Sequence, residues 1–218
     1  MSVKYDSEPN IVVDLRNYFP SIRDQGPRPL CLAFATSDLN SFIHDENEAF
    51  SVEYLSYYSY KDAGITDYTK GLTLHSVKQA LENHGQPHDY VEPYSDAAIK
   101  PSTPSGTCAE LFYAKGYDKN DLVHELSESL DSEIAVTIGV SLNSHFFNPV
   151  ESGVIDDNIG DFGSHALIIV GYGRYSDGEL CFLIRNSWGE SWANNGYAWL
   201  TSKFVTNRVF MSLRLSRI

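Results

Sequence analysis

The sequence predicts an α+β protein, helical in its first half and β-rich in its second, with a cleft between the halves. Three observations carry this. Apolar residues recur at helical spacing from Cys31 to Gly85. Short runs rich in β-branched and aromatic residues follow one another from Ile134 onwards. Between them, residues 92–120 hold Pro93, Pro101, Pro104, Gly106 and Gly116, the most loop-like stretch of the chain. The 218 residues suit one domain of two packed lobes, the helical one over roughly 20–118 and the β-rich one over roughly 119–218.

In chain order, Ile11 to Arg16 reads as a short extended segment leading into a loop at Gln25–Cys31. A helix is expected from Cys31 to about Asp45, with Leu32, Ala35, Leu39, Phe42 and Ile43 on one broad face. Ser51 caps a second helix running to about Lys61. Its tyrosines Tyr54, Tyr57, Tyr58 and Tyr60 read as packing rather than a base-stacking platform. Thr73 starts a third helix and Gly85 stops it. His84 and His88 have the i, i+4 spacing of metal ligands, but Gly85 and Pro87 break the helix between them, so no metal site is expected. Asn120 or Asp121 caps a helix to about Leu130. Strands are expected at 134–140, 166–172, 180–185, 197–200 and 209–215. The acidic stretch 151–164 lacks calcium-ligand spacing and reads as a solvated loop.

The net charge of −13 repels phosphate backbones and argues against a nucleic-acid partner. No apolar run approaches the ~20 residues of a membrane span, and the N-terminus shows no secretory signal. The expected location is the cytoplasm, with export by a signal-less route left open. Three cysteines, Cys31, Cys108 and Cys181, do not make a disulfide framework. Cys108 and Cys181 carry no assigned role beyond packing.

The loop Asp24-Gln25-Gly26-Pro27-Arg28-Pro29-Leu30 ends at Cys31, where the helical pattern begins. That places a sulfur at a helix N-terminus, where the dipole favours thiolate. Taken alone, a cysteine among Leu30, Leu32, Ala33 and Phe34 is more often a small buried hydrophobe than a nucleophile. A nucleophilic cysteine needs a base, and the base an orienting partner. His165 opens the strand His165–Gly173 after a Gly-Ser turn, a rigid position for a base. Asn186, at the end of the 180–185 strand, supplies an oxygen for an imidazole N–H, and Trp188 a shield for that bond. Alone, Asn186-Ser187 is also an ordinary turn.

Together these segments resemble the papain-like cysteine peptidases. The resemblance is carried by Asp24-Gln25-Gly26 with Cys31-Leu32-Ala33-Phe34-Ala35, by Ser164-His165-Ala166 with Gly171-Tyr172-Gly173, and by Asn186-Ser187-Trp188-Gly189 with Asn195-Gly196-Tyr197. His165 follows Cys31 by 134 positions (165 − 31) and Asn186 by 155 (186 − 31), against ~130–150 in that family. The resemblance implies a two-lobed papain-like fold, with a barrel-like β-rich lobe. It implies Cys31 as nucleophile, His165 as acid/base, Asn186 as its orienter, Trp188 as cover and Gln25 as oxyanion donor. It places Gly71, more weakly, against the substrate backbone. The chain also departs from the family. Arg28 and Pro29 stand where a cysteine and a glycine are usual, so the disulfide bracing this loop is missing. Leu32 replaces a tryptophan and Ser164 an acidic or amide residue.

The function expected from this resemblance is a cysteine endopeptidase acting on polypeptides, with no cofactor, metal, nucleic acid or membrane. An amidase or acyltransferase on one dedicated substrate, and a catalytically silent peptide-binding module, are the alternatives. With only 30 residues before Cys31, no room for a folded inhibitory prosegment is expected, and a regulatory protein partner would take its place.

Overall fold

The structure, a computed structural model, describes residue 5 and residues 7–106, 110–118, 123–150 and 152–218. Cys108 and the caps expected at Asn120 and Asp121 lie outside the described residues.

Helices α1 (Cys31–Ile43), α2 (Val52–Asp62) and α3 (Leu74–His84) come first, as the sequence pattern requires. Ser51 Oγ accepts the Tyr54 N–H to start α2, and Thr73 with Ser76 forms a reciprocal capping box on α3. Gly85 ends α3 at φ 63°, a conformation that favours glycine. The tyrosines of α2 pack it against α3: the Tyr54 ring lies 4.8 Å from Tyr58 at a tilt, and Tyr58 stacks on the His84 ring at 3.9 Å. His84 bonds Asp62 at 2.7 Å and His88 bonds Glu46 at 3.2 Å, so the two imidazoles serve separate partners.

Helix α1 differs from expectation. It is buried all round from Leu32 to Ser41, not along one face. Its polar positions are therefore in the core, and Ser37, Asp38 and Asn40 find partners there. Asn40 Nδ2 donates to Gln86 Oε1 (3.1 Å), and Gln86 Nε2 to Ser37 Oγ (2.7 Å). Asp38 takes Arg185 and Arg23.

The sheet has eight strands. They are β1 (Asn10–Asp14), β2 (Ala114–Asp118), β3 (Val136–Ser141), β4 (Val154–Ile155), β5 (Ser164–Arg174), β6 (Leu180–Arg185), β7 (Tyr197–Thr201) and β8 (Val209–Arg217). Their order is β2-β8-β3-β5-β6-β7-β4, with β1 paired to β5. The barrel-like lobe expected from the resemblance is corrected here, because the sheet is open. β1 and β2 come from the first 118 residues yet join it through β5 and β8. Helices α4 (Val123–Asp131), α5 (Ser144–Phe147) and α6 (Ser202–Arg208) complete the fold.

The loop at 151–164 is also corrected. It contains β4, parallel to β7. Two of its acids are tied down rather than solvated: Asp156 accepts Thr201 Oγ1 at 2.9 Å, and Asp157 takes Asn207 and Arg208, while Asp161 stays exposed as expected. Among the described residues no helix is long and apolar enough to cross a membrane.

Candidate active site

Register brings the first pair of groups together. β5 and β6 are antiparallel, with Ile168 opposite Arg185, so the start of β5 and the end of β6 meet at one edge. His165 Nε2 and Asn186 Oδ1 are 2.7 Å apart there, and both residues are nearly fully buried. Asn186 Oδ1 also accepts the Ser187 backbone N–H at 2.9 Å. The Ser187 N–H can only donate, which identifies that atom as the oxygen. A neutral His165 therefore carries its proton on Nε2 and leaves the Nδ1 lone pair free.

Aromatic rings enclose this pair. The Trp188 ring is 4.7 Å from the His165 ring, and the Phe146 ring is 5.8 Å from it. Phe146 of α5, fully buried, also meets Trp188 and Trp192, and its carbonyl accepts Trp192 Nε1 at 3.1 Å. The shielding role expected of Trp188 is thus shared with Phe146, whose short helix the sequence pattern did not reveal. Asn143, accepting the Phe146 N–H through Oδ1, is the local capping signal for it.

The second group lies across the cleft. Cys31 is the first residue of α1, after Leu30, which offers no side-chain cap. Burial, the largest influence, pushes the Cys31 thiol up, against the N–H groups of Ala166, Leu32 and Cys31 itself. The dipole argument from sequence is therefore outweighed in the resting site. Burial likewise lowers His165 to about 4, with the Asn186 bond opposing it. Each group alone favours its neutral form, so an ion pair here depends on the two charges facing one another.

Gln25 is held in a fixed sense. Its backbone N–H donates to Ser187 O (2.8 Å), its Oε1 accepts Ser187 Oγ (2.8 Å) and its Nε2 donates to Arg28 O (2.8 Å). One of the two Nε2 protons remains for another acceptor. Asp24 forms a bridge with Trp188, which ties the loop to the Asn186 segment.

A cleft of about 490 Å³ joins these residues, lined by Gln25, Cys31, His165 and Trp188. Gly71 also lines it, but a Cβ there would meet only Pro29 O at 3.6 Å, so space does not demand glycine. Gly139 is different: the Phe210 ring lies 2.9 Å from where its Cβ would stand. A concavity of about 550 Å³ near Leu15, Phe42 and Arg214 contains no cysteine or histidine, so chemistry rather than size singles out the cleft.

Sequence reasoning missed the anchors behind these groups. Asp38, fully buried on α1, receives Arg185 Nε at 2.8 Å and the Arg23 guanidinium. Burial alone would raise Asp38, but Arg185 and Arg23 overcome it and hold the carboxyl below its ordinary value. Arg185 also donates to Tyr197 OH (2.9 Å) and Ser21 O (2.8 Å), fixing the residue before Asn186. Arg28, where the resembled family keeps a disulfide cysteine, is buried against Glu53 at 2.6 Å. In place of the missing disulfide, this loop is braced by an ion pair.

Comparison with known proteins agrees with the geometry. The family model described as papain family cysteine protease matches residues 11–211. Macrodontain-1 from Ananas macrodontes is 30% identical over 196 residues, covering 85% of each chain. Fruit bromelain from Ananas comosus is 27% identical over 191 residues, 85% of this chain and 53% of that protein, so the chain spans about half of that relative's length. The crystal structure of xylellain, a cysteine protease from Xylella fastidiosa, superposes with a TM-score of 0.77 at 20% identity, covering 100% of this chain and 94% of that one.

Proposed function

The chain belongs to the papain family of cysteine proteases, and on that premise we propose that it is a cysteine endopeptidase working through Cys31, His165 and Asn186. The observation that carries this reading is the free Nδ1 of a buried, oriented imidazole in the same cleft as Cys31 and Gln25.

His165 Nδ1 takes the Cys31 proton, and the resulting thiolate and imidazolium stabilise each other. The sulfur attacks the peptide carbonyl carbon. The oxyanion that forms is met by the spare Gln25 Nε2 proton and the Cys31 N–H. Collapse of this intermediate breaks the C–N bond, and His165 gives its proton to the leaving amine. Water, deprotonated by His165, then hydrolyses the thioester. Apolar cleft walls at Leu72, Leu74, Phe210 and Met211 suit substrates with apolar side chains.

Cys31→Ala abolishes turnover of a fluorogenic peptide and leaves the circular-dichroism spectrum unchanged. An epoxysuccinyl peptide adds once to the wild type, at Cys31, and not to His165→Ala, as read by intact-mass spectrometry. Wild-type turnover by Cys31→Ala would sink the mechanism. A wild type that neither turns over peptides nor takes the label would leave a silent binding module.

A further inference from the structure

The loop before Cys31 contains a charge with no part in the chemistry above. Arg28 lies three positions before the nucleophile and is 1% exposed. Burying a guanidinium requires partners of good geometry. Nη1 donates to Glu53 Oε2 at 2.6 Å and to Ser95 O at 2.5 Å, and the guanidinium carbon sits 5.0 Å from the Tyr94 ring centre. Glu53 is itself buried on α2, and its Oε1 accepts the Ser102 N–H at 2.5 Å. Two segments, α2 and residues 94–95, therefore converge on the Arg28 side chain, and a third, at Ser102, is joined to it through Glu53.

What Arg28 presents to Gln25, which lines the cleft, is its backbone. Its carbonyl accepts Gln25 Nε2 and the Leu30 N–H, each at 2.8 Å. Tyr94, the ring beneath the guanidinium, donates its hydroxyl to Gln25 O at 2.6 Å. The Gln25 side-chain amide is thus held by the Arg28 carbonyl at Nε2 and by Ser187 Oγ at Oε1, and its backbone carbonyl by Tyr94, which packs on the Arg28 guanidinium.

We infer that the buried Arg28–Glu53 ion pair, with Tyr94, positions the Gln25 amide for the oxyanion. Arg28 and Glu53 are positioning residues: the guanidinium holds the Arg28 carbonyl, the carbonyl takes one Nε2 proton, and the other is left aimed at the cleft. The inference rests on the peptidase reading of the cleft, since an oxyanion forms only during acyl transfer. It predicts that disturbing the ion pair harms oxyanion stabilisation and spares the thiolate.

The experiment compares wild type, Glu53→Gln, Tyr94→Phe and Gln25→Ala, with Glu53→Gln also placed in the Gln25→Ala background. Three readouts are taken: kcat and KM on a fluorogenic peptide, the inhibition constant of a peptide aldehyde, whose thiol adduct carries the oxyanion, and the rate of iodoacetamide alkylation, which forms none. Removing an oxyanion donor outright costs ~10²–10³ in kcat, so misdirecting it in Glu53→Gln costs about tenfold. KM stays within about twofold, aldehyde binding weakens by the same factor as kcat, and alkylation is unchanged. Tyr94→Phe follows the same pattern at about threefold, and the Glu53→Gln effect disappears once Gln25 is gone. Equal losses in alkylation and in aldehyde binding would overturn the inference, because the change would then be general. Wild-type kcat and aldehyde affinity in Glu53→Gln would overturn it too; if that variant does not fold, Tyr94→Phe decides on the same readouts. A wild type inert to peptide, aldehyde and iodoacetamide alike would instead refute the peptidase reading itself.

Discussion

On one side of the cleft, His165 and Asn186 ride on paired strands; on the other, Gln25 and Cys31 ride on a loop and the first turn of a helix. The strand side is positioned by backbone. Val140 opposite His165 and Tyr197 opposite Arg185 set the register, and a shift of one residue would carry His165 to the other face of the sheet. The loop side has no ladder of its own. It is positioned by side chains that reach far: Arg28 to Glu53, Tyr94 to Gln25, Ser187 to Gln25. A backbone ladder distributes its load over many bonds, whereas a bracket of a few buried polar groups fails when one member is removed. The two halves of one site should therefore respond differently to damage.

Asp38 serves both halves, through Arg23 on the loop side and Arg185 on the strand side. Asp38→Ala takes the carboxylate from the buried Arg185 and the part-buried Arg23, and the expected loss is on the order of 3–5 kcal/mol in a urea unfolding curve. A loss below about 1 kcal/mol would mean the halves are held independently. Phe146→Ala removes a fully buried ring from the strand side alone. It costs about 3–4 kcal/mol by the same measurement, and it lowers kcat because His165 and Trp188 lose their backing.

The acid limb of kcat/KM sharpens the comparison without mutation. A base whose folded value is lowered is protonated only below that value. His165, held at about 4 by burial, thus keeps its free Nδ1 through the mildly acidic range. Activity should persist down to about pH 4 and fall about tenfold per unit below it, unlike a solvated histidine with a limb near ~6.5. The same shift makes the fold lose stability as pH drops from ~6.5 towards 4, because the unfolded histidine binds the proton first. Ser51→Ala is the smallest intervention. It removes the α2 cap and the 2.6 Å bond to Glu92 O, loosening the helix that carries Glu53. The cost is ~1 kcal/mol, read as a melting-temperature shift.

Much of the site was legible because its signals are local. A proline-rich loop ending at Cys31, a Gly-Ser turn before His165 and an Asn at a strand end are each written within a few residues. Helices α2 and α3 were legible for the same reason, since Ser51, Thr73 and Gly85 act on adjacent backbone. Helices α5 and α6 were not, because four and seven residues are too short for a periodic pattern. The full burial of α1 was hidden as well: its buried Asp38, Asn40 and Ser37 look like a solvent face until their distant partners arrive.

Taken by itself, the sequence determined the helical-then-β order, the caps, and the residue types able to do thiol chemistry, for those depend on each residue's own chemistry and its immediate neighbours. Only the tertiary structure decided that the sheet stays open, that β1 and β2 enter it, and that Arg28 and Asp38 are buried with Glu53 and with Arg185. Pairings between residues 25 and 147 positions apart leave no local trace, because the energy that rewards burying a charge exists only once its partner has been brought into contact.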